Sequence, residues 1–187
     1  FGKSEAGNVW LAAHRTSPYQ FFQYWMQVPD ADVERFLLQL TMLPVGECRA
    51  VAAEHAAAPE KRIGQRRLAQ EITTIVHGAA AAANAEAASA ILFGGDPRDA
   101  EAESLAFIAD EVPTTTVASA RLTAGVDLLD LLVEAGLFKP KGEARRTVSE
   151  GGAYLNNVRV EDLELQPTEA DLVAGSWLVL RRGKKNF

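Results

Sequence analysis

The chain changes its periodicity at residues 112–125, and that switch limits the folds open to it. Upstream, apolar residues recur at helical spacing; downstream they come in short runs punctuated by Gly and Asn. Between them, Pro113-Thr114-Thr115-Thr116 through Thr123-Ala124-Gly125 has no helical period and reads as a linker. The expected fold is a mainly α helical bundle followed by a small α+β domain.

The helical half is marked by its stops and starts. Ser17-Pro18 supplies a hydroxyl N-cap and a proline at the first helical position. Phe21, Phe22, Trp25 and Met26 then share one side, a stripe that reads as core. Asp30 is expected to cap a second helix, whose Val33, Phe36, Leu37, Leu40 and Leu43 repeat until Pro44 ends it. A third helix is expected over 46–57. Pro59 opens a fourth, with Leu68, Ile72, Ile75 and Val76 buried and Gly78 as its stop. An alanine run covers 79–90, and an acidic helix covers 99–110. Past the linker, two short helices are expected at 126–135 and 142–149. Short strands follow at 153–155, 158–160 and 177–182, the first two joined by an Asn156-Asn157 turn.

Composition removes several function classes. A single cysteine, Cys48, excludes an intramolecular disulfide framework and fits a reducing, cytoplasmic setting. His14, His55 and His77 with Cys48 have no metal-ligand spacing, so no metal site is expected. His14 and His55 read as surface residues, and His77 as a helix C-terminal residue favoured by the dipole. No apolar run approaches the ~20 residues of a membrane helix, so no membrane partner is expected.

The net charge of −6 argues against loose polyanion coating, yet the cations are clustered. Lys61, Arg62, Arg66 and Arg67 form one group, with Arg62 and Arg66 expected to project together from the exposed face of the fourth helix. Lys139, Lys141, Arg145 and Arg146 form a second, and Arg181, Arg182, Lys184 and Lys185 a third. Arg145 and Arg146 lie just before a hairpin offering Asn156, Asn157 and Arg159, an arrangement suited to bidentate phosphate contacts. The plainer alternative is that both arginines flank a buried stripe and pair with Glu143 or Glu150.

The order of helix, arginine-bearing helix, Gly-Gly, aromatic strand, Asn turn and distal Arg-Arg-Gly-Lys-Lys strand resembles a small RNA-binding domain. That domain was first recognised in a ribosomal small-subunit protein and is found on several RNA-modifying enzymes. The resemblance runs from Val126 to Phe187. It departs at Asn157, where the family usually has Gly, and at Lys139-Pro140-Lys141-Gly142, which lacks a Ser or Thr cap. At the other end, Phe1-Gly2-Lys3-Ser4 looks like the final positions of the K-F-G-K-S/T form of the mobile KMSKS loop of class I aminoacyl-tRNA synthetases. Thr16-Ser17-Pro18-Tyr19-Gln20-Phe21-Phe22-Gln23-Tyr24-Trp25 and Ala58-Pro59-Glu60-Lys61-Arg62 resemble the helical anticodon-side domain of bacterial tyrosyl-tRNA synthetases. Leu68-Ala69-Gln70-Glu71-Ile72-Thr73 with Val76-His77-Gly78 extends that resemblance.

The resemblance implies a domain order: a remnant of a catalytic domain with the KMSKS-type loop at 1–16, the helical anticodon-side domain at 17–111, a linker at 112–125, and the RNA-binding domain at 126–187. It implies that the chain is the back part of a longer protein, whose Rossmann-type catalytic domain and homodimer surface lie upstream. The implied activity of the intact protein is tyrosine activation with ATP, followed by transfer to tRNA-Tyr. ATP enters as a substrate with Mg, no tightly bound cofactor is implied, and this chain alone is expected to be inactive. Lys3 would stabilise the pyrophosphate leaving group, with Gly2 and Ser4 shaping the ATP loop. Arg145, Arg146, Arg159, Arg181, Arg182, Lys184 and Lys185 would grip tRNA phosphates, with Lys61, Arg62 and Arg66 second. The alternative is a non-catalytic RNA-binding protein using the same small domain. A helical interaction scaffold without an RNA role is a further rival, and the related tryptophan enzyme a weaker one, since it typically lacks this C-terminal domain.

Overall fold

The computed structural model describes residues 8–183, and the chain divides into two compact units, 1–89 and 90–187. The first unit is helical. Helix α1 (Pro18–Met26) starts as the sequence dictates, with the Ser17 hydroxyl accepting from Gln20 N at 3.1 Å. Its Phe21, Phe22 and Trp25 are buried against α4 (Ile63–His77). Phe21 and Trp25 meet edge to face, 6.1 Å apart, which favours the opposed ring quadrupoles.

Helix α2 (Val33–Leu40) follows a 3₁₀ turn at Asp30–Asp32. It ends before Pro44 because the Thr41 hydroxyl donates to Leu37 O at 2.7 Å while Thr41 turns extended. Pro44 instead precedes α3 (Val45–Ala57). Helix α4 also begins later than Pro59 suggests. A 3₁₀ turn at Pro59–Lys61 is followed by Arg62 in the left-handed region (φ 54°), so the regular ladder starts only at Ile63. On α4, Leu68 and Ile72 are buried, but Ile75 is exposed; the buried face rotates towards Ala69 and Thr73 instead. Gly78, at φ 91°, separates α4 from α5 (Ala79–Leu92), whose Ala82, Ala85 and Ala88 form a stripe narrow enough for close approach.

His77 closes α4 with its ring against Phe21, 5.0 Å centroid to centroid. Burial lowers its pKa from the ordinary 6.5, so the neutral ring is favoured and no dipole-bound imidazolium is needed. An unfolded chain takes up that proton first as pH falls, so stability is fully present above 6.5 and declines below it. Acidifying from about pH 7.5 to about pH 5.5 is expected to lower the melting temperature, and His77→Gln to shrink that drop. An identical drop in both proteins would remove His77 as its source.

The second unit carries α6 (Ala102–Glu111), the four-residue α7 (Ala120–Thr123), α8 (Leu128–Glu134) and α9 (Lys141–Ser149). Strands β1 (Ala153–Leu155), β2 (Val158–Val160) and β3 (Leu180–Arg182) form an antiparallel sheet in the order β2-β1-β3. Ala153 pairs with Val160 on one side and Arg182 on the other. Residues 112–125, expected as a linker, contain α7 and are tied to α8 by Arg121 to Glu134 at 2.6 Å. Leu128, Leu129, Leu132, Phe138, Ala144, Val148, Ala153, Leu155 and Val160 make one core between α8, α9 and the sheet. Among the described residues no helix is long and apolar enough to cross a membrane.

Candidate nucleic-acid interface

The orientation of α9 follows from its core contacts. Ala144 and Val148, four residues apart, are fully buried, which turns Arg145 and Arg146 outward. The helix starts without a side-chain cap because Pro140 stands at the N-cap position, and Lys141 reaches back to Asp130 on α8 at 2.6 Å and to Asp127 just before it at 3.4 Å. The hydrogen bond to Asp130 chiefly raises the pKa of Lys141. Arg145 has no ion-pair partner among the described residues, whereas Arg146 Nε lies 3.8 Å from Glu150 Oε1. Both ends of that pair are mostly exposed, at 75% and 68%, so it is weak. The alternative partner, Glu143, belongs to Arg182.

The hairpin supplies the third open arginine. Asn156 and Asn157 take φ of 49° and 60°, as a two-residue primed turn requires, and β2 then carries Arg159 outward. Arg159 donates to Glu150 O at 3.2 Å and lies 3.3 Å from Glu161. The two asparagines are not free for a ligand. Asn156 is buried, bonded to Asp171 O at 2.6 Å and to Val179 N at 2.9 Å. Asn157 donates to Ile91 O at 2.9 Å and Gly95 O at 2.7 Å, so the residue that replaces the expected glycine anchors the turn.

The distal strand corrects the sequence reading. It starts at Leu180, because Asn156 takes the backbone of Val179 and Trp177 forms a separate bridge to Val173. Arg181, opposite Tyr154 in the ladder, is 8% exposed and stacked 4.1 Å over the Tyr154 ring. Arg182 is committed to the fold as well. It bonds Glu143 at 2.7 Å and Leu137 O at 3.3 Å, and lies 4.7 Å over the Phe138 ring. Neither adds to the open cationic face formed by Arg145, Arg146 and Arg159. Lys184 and Lys185 lie outside the described residues, as do Gly2, Lys3 and Ser4.

In the helical unit, Lys61 and Arg66 are exposed without ion-pair partners among the described residues. Arg62 does not share a helix face with Arg66. It sits before α4, and its Nη2 donates to Met26 O at 2.6 Å, tying the end of α1 to the start of α4. Arg67 is held by Glu47 at 2.7 Å and Glu71 at 3.0 Å.

One constellation escaped the sequence reading. Asp30 was expected as a helix cap and His55 on the surface, but His55 is 3% exposed and its Nε2 lies 3.1 Å from Asp30 Oδ1. Buried Gln65 donates to the same oxygen at 2.6 Å and to Val28 O at 3.2 Å. Gly64 makes this possible: a Cβ there would meet Val33 Cγ1 at 2.5 Å and His55 Cγ at 3.0 Å. The Asp30 side chain stays 63% exposed, so two buried groups fix one oxygen of an otherwise solvent-facing carboxylate. The three residues come from separate elements, and no local spacing announces them.

The model of class I tRNA synthetases (W and Y) matches residues 1–94, half of the chain, and the chain belongs to that family. Residues 104–187 match the tyrosine–tRNA ligase SYY-like C-terminal domain. Full-length matches to this chain come from tyrosine–tRNA ligases. The Streptomyces griseus protein is 48% identical over the whole of this chain and 43% of its own length. The Roseiflexus castenholzii and Corynebacterium glutamicum proteins are 43% and 46% identical over the whole chain, each covered over 44% of its length. The chain thus spans under half the length of these relatives. A solved C-terminally truncated mitochondrial tyrosyl-tRNA synthetase from Coccidioides posadasii matches 44% of this chain and 23% of its own, at 38% identity and a TM-score of 0.42.

Proposed function

We propose that the chain is the tRNA-binding part of a cytoplasmic tyrosine–tRNA ligase. In this reading the helical region is the anticodon-side domain and the C-terminal module is an RNA-binding domain of the kind found in a ribosomal small-subunit protein. Tyrosine, ATP with its Mg, and tRNA-Tyr are the partners of the whole protein, which pairs as a homodimer through a Rossmann-type catalytic domain outside this chain. The carrying observation is the open Arg145, Arg146 and Arg159 face, set on a buried core that fixes its direction. Such a face binds backbone phosphates and so positions the RNA without reading its bases.

Lys61 and Arg66 offer a second phosphate-binding patch on the other unit. The Asp30 carboxylate, oriented from behind by His55 and Gln65, is suited to accept the N–H groups of an unpaired base. Arg145→Ala together with Arg146→Ala is expected to weaken tRNA binding and to flatten its log–log salt dependence by roughly one to two units. An unchanged slope would take both arginines out of the interface.

A further inference from the structure

We infer that Glu150 is a resident anion in a phosphate seat formed by Arg146 and Arg159, and that Gly151 is the positioning residue that makes the seat. The inference rests on the RNA-binding reading and adds to it the competitor that the free protein carries. Glu150 directly follows α9, and its N–H donates back to Arg146 O at 3.0 Å. Its carbonyl accepts from Arg159 Nη2 at 3.2 Å, while its carboxylate reaches Arg146 Nε at 3.8 Å. One residue therefore engages both arginines through oxygens at its two ends. Cations are also favoured here because α9 presents its last carbonyls at this end.

Gly151 has φ 66°, and a Cβ built on it would fall inside the Arg159 guanidinium. With no side chain at Gly151, the guanidinium comes close enough to the backbone to donate to Glu150 O at 3.2 Å. Glu161, mostly exposed, also approaches Arg159 Nε, at 3.3 Å.

The two classes of arginine pair in this unit differ in strength. Arg182 and Glu143 meet at 2.7 Å, half-buried and backed by a carbonyl and a ring. The Arg146–Glu150 pair is long and open to water on both sides, the kind that contributes little to stability. An RNA phosphate held in place by its neighbours along the backbone displaces that carboxylate and takes both guanidinium groups. Glu150 then swings into solvent, and its negative charge opposes the incoming strand.

The test is titration of this chain with a transcript of a long-armed tRNA over a range of salt concentrations. Glu150→Gln is expected to tighten binding about threefold or more at low salt, while the charge-matched Glu103→Gln on α6 changes it less than about twofold. Gly151→Asn keeps a residue that tolerates positive φ but still places a Cβ where the guanidinium lies. It should flatten the salt dependence by about one unit, as Arg159→Ala does, and the double substitution should do no more than either alone. Equal effects of the two Glu substitutions would overturn the resident-anion role. Additive effects of the Gly151 and Arg159 changes would overturn the seat. Wild-type binding that ignores salt would instead overturn the RNA-binding reading itself, and this inference with it.

Discussion

Phe138→Ala is expected to destabilise the C-terminal unit by about 3–5 kcal/mol, enough to leave it largely unfolded. Phe138 is 2% exposed and lies within the core shared by α8, α9 and the sheet. Truncation removes the transfer free energy of a ring and leaves a cavity that Leu132, Val148 and Leu155 cannot fill without moving the elements they anchor. It also takes away the ring under Arg182, whose other contacts reach Leu137 O and Glu143. Small units hold only ~5 kcal/mol or a little more in reserve. Urea unfolding followed by hydrogen exchange at β1 and α9 measures the loss. Exposed Val158→Ala on β2 should cost about 0.5 kcal/mol or less. A Phe138→Ala cost below about 1 kcal/mol would mean that the unit is not built around this core.

Lys3→Ala in the whole protein is expected to lower tyrosine-dependent ATP–pyrophosphate exchange by about 10²–10³-fold. Activation develops negative charge on the bridging oxygen as pyrophosphate leaves, and a lysine placed there stabilises the transition state more than the ground state. In the same proposal, Gly2 and Ser4 would shape that loop around ATP. Binding of tRNA should be unchanged, since the proposed RNA face lies elsewhere in the chain. Exchange within about threefold of wild type would remove Lys3 from the chemistry and leave the loop without its proposed role.

Local signals in the sequence served the fold well where chemistry and position coincide. Ser17-Pro18 starts α1 because the hydroxyl and the ring each satisfy a need of the first turn. The Asn156-Asn157 turn and its flanking strands also follow from short-range rules, since both residues accept positive φ. The differences arose where competing local bonds or a distant group decided the matter. Thr41 ends α2 early, and left-handed Arg62 delays α4. Asn156 claims Val179 and moves the start of β3, and the register of β3 on β1 sets Arg181 over Tyr154 and Arg182 over Phe138.

The candidate site was legible as clusters of charge but not as a set of available charges. Arg182 and Glu143 stand 39 residues apart, and nothing in the sequence pairs them. Arg145 and Arg146 were recoverable because the apolar positions of their own helix dictate their direction. His55 and Gln65 were not, because their value lies in what they do to Asp30, on a different segment.

The most direct test of the central claim is titration of this chain against tRNA-Tyr, and against a tRNA without a long variable arm, at two salt concentrations. The account predicts binding that weakens steeply with salt and is tighter for the long-armed tRNA. Equal binding to both would contradict the tyrosine-specific reading and leave a general RNA-binding module; no binding to either would contradict the RNA interface altogether.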